Sequence, residues 1–103
     1  MKDDRRHREG IVIPEDKLLP CEGVSRPLTG KISVLGTAGM YIRTTDRYPP
    51  GTELELRISA DGVALEAPCV VRDVEPGGLG VEFTWLRGPL EHKLERIMAR
   101  IKP

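Results

Sequence analysis

The stretch TELELRISADGVALEAPCVV, residues 52–71, decides the fold class of this 103-residue chain. From Glu53 to Ile58, charged residues alternate with apolar ones. Alternation with a period of two is typical of a β-strand that buries one face and exposes the other. Asp61-Gly62 then favours a two-residue hairpin turn, after which apolar residues continue the buried face. The stretch predicts an antiparallel hairpin, with an edge or a bulge at Pro68 because proline has no N–H to donate.

Glycine and proline recur through the rest of the chain, which contains 11 glycines and 9 prolines. The runs between them are short and suit strands better than helices. Residues 79–85 alternate again, and the positions expected to face inward are Leu79, Val81, Phe83 and Trp85. A barrel leaves no strand edge unpaired. We therefore expect a mainly β protein in which about five to seven antiparallel strands close into a small barrel.

The pattern changes at Gly88-Pro89, where proline in the first helical position favours the start of a helix. The apolar residues that follow recur at helical spacing and form one stripe, which comprises Leu90, Leu94, Ile97, Met98 and Ile101. We expect a helix at about residues 89–101 that closes the barrel, with self-association through the stripe as the alternative. The predicted core comprises Leu54, Leu56, Ile58, Leu65, Val71, Val81, Phe83, Leu94 and Ile97.

Length and charge limit the class of function. A chain of 103 residues is expected to form one domain, here residues 10–103, preceded by a basic flexible segment, residues 1–9. Sixteen acidic and sixteen basic residues give no net charge, and hence no general attraction to a nucleic acid polymer or an anionic membrane. No apolar run approaches the ~20 residues of a membrane span, so we expect no membrane insertion.

The cysteines and histidines predict neither a disulfide nor a metal site. No signal peptide precedes Cys21 and Cys69, so we expect a cytoplasmic protein with two buried, reduced thiols. His7 and His92 lie far apart, with no cysteine at metal-ligand spacing. The chain also lacks a recognisable Ser-His-Asp set and a phosphate-binding loop. We therefore expect no catalytic residue, no metal and no cofactor, and do not expect an enzyme.

Three segments, taken together, resemble the PilZ domain family. GKISVLGTAGMYIRT, residues 30–44, resembles the family's second and third strands with their short connecting loop. YPPGTELELRI, residues 48–58, resembles the strand that follows, and ALEAPCVVRDVEPGGLGVEF, residues 64–83, resembles the last hairpin with its Gly-Val-x-Phe ending. The resemblance covers about residues 4–101. It implies a six-stranded (split) antiparallel β-barrel with a C-terminal helix, and a receptor for the bacterial second messenger cyclic di-GMP.

Members of this family bind cyclic di-GMP with two motifs, of which the first is a pair of arginines with three residues between them. Arginine presents a planar fork to phosphate oxygens and to the N7 and O6 acceptors of guanine. Here Arg5, Arg6 and Arg8 lie in the N-terminal segment, but no two of them have that spacing. The resemblance makes these arginines candidate nucleotide-binding residues in a shifted arrangement.

The second motif of the family is Asp or Asn, any residue, Ser, two further residues and Gly. In the favoured alignment Gly39 is the motif glycine, while Gly36 and Val34 replace the serine and the Asp or Asn. An alternative alignment, Lys31-x-Ser33-x-x-Gly36, keeps the serine but has lysine at the first position. The full set of candidate nucleotide-binding residues is Arg5, Arg6, Arg8, Ser33, Gly36 and Gly39.

Two functions follow from the resemblance. The first is a signalling domain that binds cyclic di-GMP with weakened affinity, because a valine side chain at position 34 cannot hydrogen-bond to guanine. The alternative is a ligand-independent adaptor that binds a protein partner in motility, pilus or biofilm control. In either case we expect a chain this small to carry no output domain and to act on a protein partner in trans.

Overall fold

A computed structural model describes residues 10–101 of the chain. These residues form seven strands, a single turn of 3₁₀ helix and one α-helix. The strands are β1 (Gly10–Val12), β2 (Leu19–Gly23), β3 (Thr29–Gly36), β4 (Gly39–Arg43), β5 (Glu53–Ala60), β6 (Val63–Glu75) and β7 (Gly78–Phe83). The 3₁₀ turn is Glu15–Lys17, and the helix α1 is Pro89–Ile101.

Six of the strands close into an antiparallel barrel. Their order is β3-β2-β5-β6-β7-β4, and pairing between β4 and β3 completes the circle. The short strand β1 is an addition to this barrel, and it pairs with β3 beyond the end of β2. The mainly β fold with a six-stranded barrel and a C-terminal helix is therefore confirmed. Closure pairs the long strands on both sides, which protects a small β protein from association through open edges.

The β5–β6 hairpin forms as its sequence predicts. Ala60 pairs with Val63, and the two turn residues Asp61 and Gly62 have φ angles of 49° and 82°. Positive φ at both central residues is the requirement of a two-residue turn whose twist matches the strands. Pro68 lies opposite Glu55 on β5, and pairing with β7 begins only one residue later. The carbonyl oxygen of Pro68 accepts the N–H of Thr84 at 3.0 Å, so Pro68 lies at the end of the β6–β7 pairing and not on an unpaired edge, and the bulge of β6 lies between Val71 and Asp73.

The core lies inside the barrel and agrees with the predicted set except at one end of β7. Eight of the nine predicted core residues are buried, whereas Phe83 is only half-buried and packs against the others. The inward position predicted for Trp85 is wrong, since 53% of this residue is exposed. The reason is that β7 ends at Phe83. Beyond the last paired residue, the two-residue alternation no longer determines which way a side chain points.

The helix α1 covers the barrel with the predicted apolar stripe. Leu94, Ile97 and Ile101 are buried, and Leu90 and Met98 pack against the core at its margin. The helix begins where predicted, because the N–H of His92 donates to the carbonyl oxygen of Gly88 at 3.0 Å. The helix lies against strand β6. Burial of the stripe against the barrel favours the closing role over self-association.

Both cysteines are buried, free thiols inside the barrel wall. Burial raises the pKa of Cys21 and of Cys69 to about 12. At neutral pH both groups are therefore protonated, and the protonated thiol is a poor nucleophile and a poor metal ligand. This agrees with the expectation of two buried, reduced thiols.

Candidate functional site

The segment that resembles the second motif forms the hairpin between β3 and β4. Gly36 ends β3, Gly39 begins β4, and only Thr37 and Ala38 lie between them. The turn is fixed to the barrel because the carbonyl oxygen of Ala38 accepts a hydrogen bond from the N–H of Phe83 at 3.0 Å. The run of small residues therefore marks a tight turn at the end of two paired strands.

Gly39 is required by the barrel itself. It pairs with Glu82 of β7, and a Cβ atom at position 39 would lie well inside 3.0 Å of the Val81 carbonyl oxygen. Because that obstacle is backbone, a side chain could be accommodated only if β4 and β7 moved apart. The barrel therefore requires glycine at position 39 whether or not a ligand binds.

Replacing Gly39 with alanine is expected to destabilise the fold by about 1–3 kcal/mol, as is typical of overpacking in a well-packed site. Gly77→Ala is the matched control, because a Cβ there would meet only the Tyr41 hydroxyl, at an ordinary 3.8 Å. Urea unfolding of the two variants measures the difference. Equal stability of Gly39→Ala and the parent protein would contradict the close approach of β4 and β7.

Val34 lies on the outer surface of the barrel. It pairs with Val12 of β1 on one side and with Tyr41 of β4 on the other. Residues directly opposite each other on antiparallel strands point to the same face, so these three side chains form a row. Val12 is 70% exposed and Val34 is half-buried. In the favoured alignment, the position that carries Asp or Asn in the family motif therefore belongs to a largely apolar outer row.

Ser33 is the extra residue of a β-bulge. The register of the β3–β4 pairing shifts between Ile32 and Val34, which leaves Ser33 without a direct partner on β4. The residue is buried, with 7% exposed, and its carbonyl oxygen accepts the N–H of Ile13 at 2.9 Å. Bulges bend a strand and increase its twist, so Ser33 helps to set the direction of β3 towards the hairpin.

Gly36 pairs with Gly10, the first described residue. The glycines with positive φ within residues 10–101 are Gly51, Gly62 and Gly88, so the φ angle at Gly36 is one that other residues can adopt. Arg5, Arg6 and Arg8 lie outside the described residues. Of the six candidate residues, Ser33, Gly36 and Gly39 are thus brought together on one hairpin.

Sequence reasoning missed Tyr41, the outward residue of β4. It pairs with Gly80, its hydroxyl extends to the neighbourhood of Gly77, and it lies close to Glu75. Burial, followed by the negative charge of Glu75, raises the pKa of Tyr41. The signal in the sequence was the alternation of β4, which puts Tyr41 opposite in direction to Met40 and Ile42.

Sequence reasoning also missed Arg43, the positively charged last residue of β4. Arg43 donates two hydrogen bonds to the carboxylate of Glu15, one of them at 2.8 Å between Nη1 and Oε1. The bond to Arg43 lowers the pKa of Glu15, and the bond to Glu15 raises the pKa of Arg43. Lys31 pairs with Arg43 across the β3–β4 register. The outer face therefore carries positive charge at this end, part of it neutralised by Glu15.

Two further observations concern the described residues alone. No group of three or more histidine, cysteine, aspartate or glutamate side chains within residues 10–101 is arranged to hold a metal ion. In the same range, no helix has the length and apolar character that spanning a membrane requires.

A family model described as "PilZ domain" matches residues 5–100. The matched range includes the three arginines, the β3–β4 hairpin and most of α1. No curated protein matches the chain.

Proposed function

We propose, because the chain belongs to the PilZ domain family, that it is a signalling module that binds cyclic di-GMP weakly at the β3–β4 hairpin. The family is one of non-catalytic domains of the cyclic di-GMP-binding type. In this proposal Arg5, Arg6 and Arg8 contact the phosphates and the guanines. The backbone around Gly36 and Ser33 lines the other side of the ligand.

The observation that carries this proposal is the pairing of Gly10 with Gly36. Only one residue separates Arg8 from Gly10, and a chain spans at most about 3.6 Å per residue. Connectivity therefore keeps the arginine segment within reach of the hairpin that resembles the second motif. Charged guanidinium groups form strong, often bidentate hydrogen bonds to phosphate.

The affinity is weak because the polar side chains of the second motif are absent. Val34 has no group that can hydrogen-bond, and Gly36 has no side chain. A ligand group left unpaired costs about 1–3 kcal/mol, and each 1.4 kcal/mol is about tenfold in affinity. Phosphate contacts position a ligand without identifying its bases. Binding should therefore depend on salt and discriminate poorly among guanine nucleotides.

The test is a calorimetric or NMR titration of cyclic di-GMP at about 0.05 M and about 0.5 M salt, where charges are screened to different extents. Changing Arg5, Arg6 and Arg8 to alanine should abolish measurable binding. A control variant removes the same charge elsewhere, by changing the exposed residues Arg87, Lys93 and Arg96 to alanine. Salt-independent binding, or equal binding by both variants, would overturn the proposal.

A second function is favoured by the apolar outer row. Val12 and Val34 expose apolar surface beside the hairpin, where the family motif would place a polar side chain. Such a surface suits contact with a protein. The second candidate is therefore an adaptor that binds a protein partner in the cytoplasm, in motility, pilus or biofilm control, without a nucleotide.

A further inference from the structure

We propose that a depression on the outer wall of the barrel, here called the Thr84 depression, binds an arginine side chain of a protein partner. It has a volume of about 500 Å³, and its lining includes Arg26, Glu53, Glu55, Pro68 and Thr84. In the closed order of strands, β5 and β6 lie opposite β4 and β3, so this surface is separate from the β3–β4 hairpin. The inference goes beyond nucleotide binding and rests on the second candidate function, for which it names the partner's chemistry.

Trp85 provides an exposed aromatic surface next to the depression. It is the only tryptophan of the chain, and 53% of it is exposed, although tryptophan is on average a highly buried residue. It directly follows Thr84, whose N–H donates to the carbonyl oxygen of Pro68 at 3.0 Å. The chain is therefore fixed to β6 one residue before the tryptophan. Of the aromatic side chains, an indole attracts a guanidinium group most strongly.

Pro68 leaves a backbone acceptor without a donor at the same place. In an antiparallel pair, two residues that are directly bonded exchange both N–H···O bonds. Thr84 donates to Pro68, but Pro68 has no N–H to donate in return. No donor to the carbonyl oxygen of Thr84 lies within residues 10–101. Thr84 is exposed, so this oxygen can accept a hydrogen bond from outside the chain.

The two carboxylates of the depression also lack partners. Glu53 and Glu55 lie on the exposed face of β5, and neither forms an ion pair within residues 10–101. Arg26 is the cation in the lining, so two carboxylates and one guanidinium leave a negative charge there. A partner that carries positive charge at this point is therefore complementary to the depression.

The other arginines of this wall are already paired. Arg57 of β5 bonds to Glu22 at 2.6 Å and to Glu66 at 2.8 Å. Arg72 of β6 donates to Glu82 at 2.7 Å. Each arginine is thus matched by at least one carboxylate of its own. The negative charge of the depression is left for a partner.

Arginine is the side chain that fits all three features. Its guanidinium carries a positive charge and five N–H donors in a planar fork, which suits the carboxylates and the carbonyl oxygen. The flat face of the group stacks on an aromatic ring. Lysine brings the charge and donors but no planar face, so the depression should prefer arginine.

The experiment measures the fluorescence anisotropy of dye-labelled tetra-arginine and tetra-lysine peptides. The parent protein should bind tetra-arginine more tightly, and Trp85→Ala should weaken that binding about threefold or more and remove the preference. Changing Glu53 and Glu55 together to glutamine should weaken binding about three- to tenfold. The matched control changes Glu91 and Glu95, exposed carboxylates of α1, to glutamine and should have little effect.

Two further variants test the depression in opposite directions. Arg26→Ala removes the like charge and should strengthen tetra-arginine binding about threefold. Pro68→Ala supplies an N–H that can bond to the carbonyl oxygen of Thr84, so it should weaken binding about three- to tenfold. Circular dichroism checks that each variant is folded. The emission of the single tryptophan should also change when tetra-arginine is added to the parent protein.

The outcomes separate this inference from the proposed function. No binding of tetra-arginine, equal binding of the two peptides, or equal losses in the two double glutamine variants would overturn the inference. Self-association that ends when Arg5, Arg6 and Arg8 are changed to alanine would also overturn it, since the occupant would then be a second copy of this chain. The cyclic di-GMP titration tests the proposed function independently of all these results.

Discussion

Ending the chain after Arg87 is expected to abolish the native fold and to cause aggregation. The missing segment includes α1, whose residues Leu94 and Ile97 are fully buried against the barrel. Without them, a large apolar surface on the core would face water, and such surfaces promote association. Circular dichroism and size-exclusion chromatography of the shortened chain measure both effects. A soluble, monomeric, folded product would show that α1 is a partner-binding element.

A point variant gives the same test in a form that can be quantified. Leu94→Ala should reduce the free energy of unfolding by about 2–5 kcal/mol, a large part of the roughly 5–15 kcal/mol typical of a small domain. The adjacent exposed residue provides the control, and Glu95→Ala should change stability little. Urea unfolding followed by circular dichroism distinguishes the two. A loss below about 1 kcal/mol for Leu94→Ala would contradict its place in the core.

Restoring the second motif with Val34→Asp and Gly36→Ser should increase the affinity for cyclic di-GMP by about 10- to 100-fold. Val34 already faces outward, and Gly36 has no left-handed φ, so neither change requires a strained φ. The added groups would each form a hydrogen bond worth about 1 kcal/mol, or more where the carboxylate is charged. Isothermal titration calorimetry at fixed salt measures the gain.

Val12→Asp is the matched control for this restoration. It adds the same charge to the same outer row, directly beside position 34, but outside the motif. An equal gain in affinity with Val12→Asp would mean that charge alone, not motif geometry, had changed binding. If the double variant is folded and still binds no cyclic di-GMP, the face is not a nucleotide site, and the adaptor function is favoured.

The sequence alone was sufficient for features that depend on neighbouring residues. The alternation from Glu53 to Ile58, the Asp61-Gly62 turn and the helical stripe of α1 each follow from a period or a turn preference within about a dozen residues. The same reasoning failed at Trp85 because the strand ended two residues earlier. Where a strand ends depends on its partners, and those lie elsewhere in the chain.

Features that depend on distant pairing needed the tertiary structure. Gly39 and Val81 are more than forty residues apart, and only the pairing of β4 with β7 shows that the glycine is required by the barrel. The same pairing places Tyr41 directly opposite Gly80 of β7. Local pattern determined the strands and the helix of this protein. The register between strands that are far apart in sequence decided which residues share the candidate site. A shift of one residue would turn every side chain of a strand to the opposite face of the sheet.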